Sequence, residues 1–245
     1  MPLYGELALA AVDGRLPELR DLDTNAWELP KAEILHIGWE VPDASRALLP
    51  RSMHPAIPAY VTVVVTRYPA SPVGPFELAQ VRLMARAGAH PRGYVLGAVA
   101  TTDAAVTALR ERWGFPARRG EVALRRYYDR VVGAVSVAGE TILDVALRDP
   151  ETISGGDVQY IHSVTLGRVD GRPTLVQVDP HYTFHKAERG RPAVGRFDAA
   201  AWNAGPITLE WPIAATVTTC DTDLPRIRFV MDPEIPVVRG TRRIR

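Results

Sequence analysis

Short apolar runs, cut repeatedly by proline and glycine, set the pattern of the chain. AEILHIGWEV (32–41) reads as a strand. PDASRALLP (42–50) reads as a short helix, with Pro42 and Asp43 suited to its start and Pro50 ending it. PRSMHPAIPAY follows, and its three prolines exclude regular structure. YVTVVVTRY (60–68) is β-branched and almost wholly apolar, which predicts a strand buried on both faces. FELAQVRLMARAG (76–88) fits either period. Its neighbours favour a strand that places Phe76, Leu78 and Gln80 on one face. RGYVLGAVATT (92–102) reads as a further strand.

DAAVTALRERWG (103–114) is the clearest helix. Val106, Leu109 and Trp113 recur at helical spacing, Asp103 is placed to cap the start, and Gly114 closes the end. EVALRRYYDRVVGAVSVAG and ETILDVALRD then alternate toward strands, with Gly139 between them. VDGRP is an Asp-Gly hairpin turn. ITLEWPIAATVTTC and RIRFVMDPE supply later strands. These elements predict an α+β protein, mainly β, in which evenly spaced short strands form a closed or nearly closed barrel. Residues 1–245 read as one domain, with 1–30 as an N-terminal extension and 236–245 as a basic, solvated tail.

Composition narrows the picture. The 245 residues are 47% apolar, enough for a sizeable core. A net charge of +1 gives no global attraction to nucleic acid or membrane. No apolar run approaches a membrane span, and MPLYGELALAAVDG lacks the basic region of a signal peptide and carries Glu6, so a cytoplasmic location is expected. A single cysteine, Cys220, excludes an intrachain disulfide and reads as a small buried hydrophobe. The chain has no phosphate-binding loop, dinucleotide fingerprint or nucleophile elbow. His181 and His185 would share a metal only on a helix, and PHYTFHKAE reads as strand and turn. His162–Ser163 is a lone pairing on a strand. No metal and no cofactor are expected.

An ordered set of motifs carries more. Arg110, Glu111, Gly114, Phe115 and Pro116 stand at the end of the helix, and Gly74, Pro75 and Phe76 open an upstream strand. Together they resemble the acetoacetate decarboxylase family, over roughly residues 32–230. The resemblance implies a double-layered β-barrel-like fold, a central cavity, a small-molecule substrate and a homo-oligomer. In the family a lysine pair follows the helix, the first lysine forming a Schiff base and the second lowering its pKa. Here Ala117 and Arg118 hold those places. Only Lys31 and Lys186 exist in the chain, and neither is near in sequence. The family's glutamates fall on Leu78 and Val63, while Glu77 would point to the opposite face of its strand.

The resemblance therefore implies a cavity walled by Val63, Phe76, Leu78, Phe115 and Ala117. Arg118 is the expected donor to an oxyanion, with Glu111 beside it, and Tyr60, Gln80, Glu77 and His54 are candidate polar groups. Two functions are compatible with such a site. One is an enzyme that acts without a Schiff base on a ketone, oxo acid or polyketide-like substrate, by dehydration, cyclisation or aldol-type chemistry. The other is a non-catalytic pocket for a hydrophobic ligand. Arg118 and Arg119 also suit a simpler role as cations at a helix end.

Overall fold

The computed structural model describes residues 3–20, 22 and 25–244. The strands are β1 (Trp27–Glu40), β2 (His54–Pro55), β3 (Tyr60–Tyr68), β4 (Phe76–Ala87), β5 (His90–Ala100), β6 (Ala117–Arg119), β7 (Glu121–Arg126), β8 (Arg130–Val137), β9 (Glu140–Ile153), β10 (Ser163–Val169), β11 (Arg172–Val178), β12 (His181–Phe197), β13 (Pro212–Leu224), β14 (Phe229–Met231) and β15 (Thr241–Arg243). Helix α1 spans Asp103–Trp113 and the short α2 spans Val237–Gly240. No helix among the described residues is long and apolar enough to cross a membrane.

All the strands join one sheet, in the order β15-β14-β11-β10-β5-β4-β3-β1-β13-β12-β9-β8-β7, with β2 added to β4 and β6 to β5. The sheet curls without closing. β15 and β7 remain unpaired edges, which corrects the expectation of a closed barrel. The β7–β9 end folds over β1, β3 and β4, and packing substitutes for edge-to-edge hydrogen bonds. Gly133 of β8 permits this approach: a Cβ there would meet Val65 Cγ2 at 2.9 Å and Leu35 Cδ2 at 3.2 Å.

Local sequence accounts for most elements. Asp170 (φ 51°) and Gly171 (φ 73°) make the tight turn between β10 and β11. Gly114 ends α1 at φ 67°, its amide returning to the Arg110 and Leu109 carbonyls. Thr102, one residue before the expected Asp103, caps the helix: its hydroxyl accepts from the Ala105 amide at 3.2 Å. The proline-rich 50–60 segment holds one short bridge, His54–Pro55 against Arg86 and Ala85. Residues 43–48, expected as a helix, form a 3₁₀ turn. The basic tail is exposed but ordered, since α2 and β15 return it to β14. Its last residue, Arg245, lies outside the described residues.

The central strands separate two cores. On one side, Leu35, Ile37, Val61, Val63, Val65, Val81 and Leu83 pack against Val122, Leu124, Val131, Leu143 and Val145 of the overlying strands. On the other, Phe76 and Leu78 pack with Trp27 and with Leu109, Trp113, Phe115 and Ala117 from α1 and its exit. Trp27 and Trp113 meet edge-to-face at 4.9 Å, and Trp113 Nε1 donates to the Pro225 carbonyl at 3.1 Å. This second core, backed by the helix, holds the cavity.

Candidate functional site

Alternation along β4 builds the site. Phe76, Leu78, Gln80 and Arg82 project to the helix side, whereas Ala79, Val81 and Leu83 project to the apolar core. A cavity of about 30 Å³ lies beneath the first set. Its walls are Trp27, Leu29, Tyr68, Leu109, Phe115, Ser163, Val178, Pro180, Tyr182, Thr222 and Leu224, together with those four β4 side chains. A space of this size holds water and little else. A larger guest enters only if the side-chain wall moves.

Arg82 dominates the chemistry. It is 7% exposed and has no carboxylate partner among the described residues. Its Nε donates to Gln80 Oε1 at 2.9 Å, and its Nη1 reaches the Ile161 carbonyl at 3.5 Å. Burial pulls its pKa down from the ordinary arginine value, while Tyr182, Tyr68 and Tyr160 pull the other way. It nevertheless remains a cation, because guanidinium starts so high. A buried, carboxylate-free cation is costly, and anions are the natural way to offset that cost.

Neutral groups surround it. Burial, then the charge of Arg82, lowers the His36 pKa from 6.5 to about 3, so that imidazole is uncharged at neutral pH. His36 stacks on Tyr160, ring centroids 5.0 Å apart, and Tyr160 Oη lies 3.0 Å from Thr218 Oγ1. Burial pushes the Tyr182 phenol up to about 12 and raises Tyr68 and Tyr160 as well. These phenols are hydrogen-bond donors at neutral pH. The cavity wall thus offers one cation, two phenols, an amide and two hydroxyls, with neither an amine nor a carboxylate.

The expected site residues divide. Phe76, Leu78, Gln80 and Phe115 line the cavity. Ala117 is buried in the same core, just behind that lining. Val63 belongs to the opposite, apolar core, because its position on β3 has the other parity. Tyr60 lies at the far end of β3, opposite Glu40, half-buried and away from the cavity. Glu77 faces away on β4, as expected. Its amide is held by Thr101 Oγ1 at 2.8 Å, and burial raises its carboxyl. Glu111 pairs with Arg20 at 3.1 Å at the surface. Arg118 is exposed, and its Nη2 donates to the Ala201 carbonyl at 2.7 Å. It is not the cavity cation, because alternation on β6 turns it outward once Ala117 turns in. His54 Nδ1 contacts the Leu3 carbonyl at 2.9 Å and its ring packs on Tyr4.

Sequence reasoning missed Arg82, Tyr68, Ser163, Tyr182 and Thr222. For Arg82 the signal was present: it continues the Phe76, Leu78, Gln80 face by one step, as a charge inside an otherwise buried strand. The others reach the cavity from β3, β10, β12 and β13, which only the sheet order brings together. No group of three or more metal-ligating side chains is found among the described residues.

A curled, mainly antiparallel sheet with a helix-backed internal cavity defines the class of the fold, mainly β with few helices. The chain belongs to the acetoacetate decarboxylase family, whose model matches residues 20–232. Solved structures agree on the fold. The acetoacetate decarboxylase of Legionella pneumophila is 19% identical, with a TM-score of 0.75, over 83% of this chain and 86% of that one. The enduracididine biosynthesis enzyme MppR, complexed with pyruvate, is 16% identical, with a TM-score of 0.69, over 84% and 90%. An acetoacetate decarboxylase-like enzyme from Sphingomonas wittichii RW1 is 15% identical, with a TM-score of 0.63, over 82% and 91%. No curated protein sequence matches this chain.

Proposed function

We propose that the protein is an enzyme that acts without a Schiff base on a ketone or oxo acid, holding the substrate's carboxylate or carbonyl oxygen on Arg82. The observation that carries this reading is the buried, carboxylate-free guanidinium at the inner wall of the cavity. An anion there replaces lost hydration, and an enolate oxygen formed there gains more than the ground-state carbonyl does. Dehydration, cyclisation and aldol-type reactions all pass through such an oxyanion. That MppR is solved with pyruvate, and with the condensation product of pyruvate and imidazole 4-carboxaldehyde, supports an oxo acid as the substrate class.

The lining of the cavity holds no lysine, which supports a route without an imine. Ala117 holds the position of the Schiff-base lysine, Lys186 lies beside Glu188 at 3.2 Å on β12, and Lys31 is at an exposed bulge of β1. Incubation with acetoacetate and borohydride should leave the intact mass unchanged. A substrate-derived adduct together with turnover would refute this part. For the oxo acid, calorimetric titration of pyruvate should show saturable binding that Arg82→Met weakens by about 1.5–3 kcal/mol, the scale of a hydrogen bond to a charged group. Equal binding by both proteins would refute the role of Arg82.

A second reading, a non-catalytic ligand pocket, is favoured by the absence of amine and carboxylate from the lining. Binding of pyruvate without any proton exchange or turnover would select it. The homo-oligomer implied by the family resemblance is read directly by native mass spectrometry.

A further inference from the structure

The parallel strands β5 and β10 pair only at Gly93–Ser163 and Tyr94–Val164. Beyond that point they part. β5 takes β6 as its neighbour at Ala98–Ala100, and β10 takes residues 17–19 of the N-terminal extension. Leu96 and Leu166 flank the gap. Residues 6–17 and the turn at 47–48 roof it, leaving a pocket of about 360 Å³. We propose that this pocket is a binding site for an acyl-chain carboxylate, its anionic head at Arg15 and its chain on Val12, Leu16, Leu48 and Leu166. The proposal does not rest on the reading of Arg82. The two spaces share no lining residue: Pro116 lines this one and Phe115 the other.

The pocket has the make-up of a small-molecule site, apolar walls with a few placed polar groups. Leu7 and Leu166 are buried, whereas Val12, Leu16 and Leu48 are only half-buried. A hydrocarbon chain beside them would remove that apolar surface from water. The polar end is Arg15, Asn203 and Tyr94. Arg15 Nη1 donates to Asn203 Oδ1, and its Nη2 reaches the Ala11 carbonyl at 3.4 Å. Asn203 Nδ2 donates in turn to the Leu96 carbonyl of β5 at 3.3 Å. These bonds tie the guanidinium to both the roof and the sheet.

Charge selects the head group. The carboxylates near Arg15 are taken by other arginines: Glu6 pairs with Arg46 at 3.0 Å, and Asp13 and Glu18 with Arg168 at 2.5 and 3.6 Å. Arg15 has no carboxylate partner among the described residues. Tyr94 is 6% exposed and lines the pocket, and its hydroxyl has no hydrogen-bond partner among the described residues. Burial raises its phenol, while the charge of Arg15 pulls the other way, so at neutral pH it keeps its proton and is a donor. An unbonded buried hydroxyl is costly, and a carboxylate has acceptor positions for both donors. One guanidinium matches one negative charge, and the apolar walls match a chain behind it.

Calorimetric titration of the full chain with decanoate, below micelle-forming concentrations, tests the site. Decanol supplies the same chain without the charge, and acetate the head without the chain. Decanoate should bind saturably at a single site, decanol about 10-fold more weakly or worse, and acetate not measurably. Arg15→Gln, at an exposed position, should weaken decanoate by about 10–100-fold and change decanol by less than about 2-fold. Tyr94→Phe should weaken decanoate by about 3–10-fold. Ala11→Trp, at an exposed position in the roof, should fill the space and remove binding of both chains. Decanoate binding that Ala11→Trp leaves intact, or that pyruvate competes away, would place the ligand elsewhere and overturn the site. Equal losses of decanoate and decanol in Arg15→Gln would overturn the assignment of a carboxylate. No saturable binding of decanoate by the wild-type protein would overturn the proposal as a whole, while the pyruvate titration would still report on Arg82.

Discussion

The two faces of β4 carry the same kind of burial and opposite consequences. Val81 and Leu83, 0% and 1% exposed, pack in the larger apolar core. Gln80 and Arg82, 3% and 7% exposed, are the alternate residues of the same run and meet a cavity with tyrosines around it. One face stabilises the fold through close packing. The other holds a buried cation without a carboxylate partner among the described residues, the group that the proposed function assigns to a ligand. The family resemblance leads to this face through Phe76, Leu78 and Gln80, and the proposed anion site adds Arg82, one step further along it.

Removing a side chain from each face should therefore give different symptoms. Leu83→Ala should cost about 2–5 kcal/mol of stability in urea unfolding, with pyruvate affinity per folded molecule unchanged. Arg82→Met, next to it in sequence, should weaken pyruvate binding by about 1.5–3 kcal/mol while leaving stability equal or higher, because an apolar group replaces a buried charge without a carboxylate. If both substitutions lowered stability alike, the two faces would not differ in kind.

Acid should also act through the polar face. The folded state holds His36 neutral down to about pH 3, whereas the unfolded chain protonates it near 6.5. Between those values the unfolded state binds more protons, so this contribution to stability is complete above pH 6.5 and declines as pH falls. By pH 5 the loss is about 2 kcal/mol. His36→Phe should remove that slope, measured as unfolding free energy from pH 7 to pH 5. An unchanged slope would place the acid sensitivity elsewhere. The smallest effect belongs to Arg118, whose outward guanidinium bonds one carbonyl. Arg118→Met should change stability by no more than about 0.5 kcal/mol and leave pyruvate binding alone. A binding loss there would return Arg118 to the site.

Strand identity in this protein is a local property. The β-branched run at 61–66, the Asp-Gly turn at 170–171 and the Gly114 stop each act within a few residues, so they are readable along the chain. The same holds for facing on β4, where a period of two puts Phe76, Leu78 and Gln80 together. The resemblance added the expectation of a cavity and of Ala117 in the place of the family's lysine. Tertiary structure decided the rest. Val63 and Leu78 are both buried strand residues, and nothing local says that one meets the overlying strands and the other the helix. Tyr68, Ser163, Tyr182 and Thr222 come from four strands widely spaced in sequence, and sheet order alone brings them to Arg82. The open edges at β7 and β15 follow from the same cause. Curling depends on how faces pack, as Gly133 against Val65 shows, and alternation along a strand carries no information about the partner across the core.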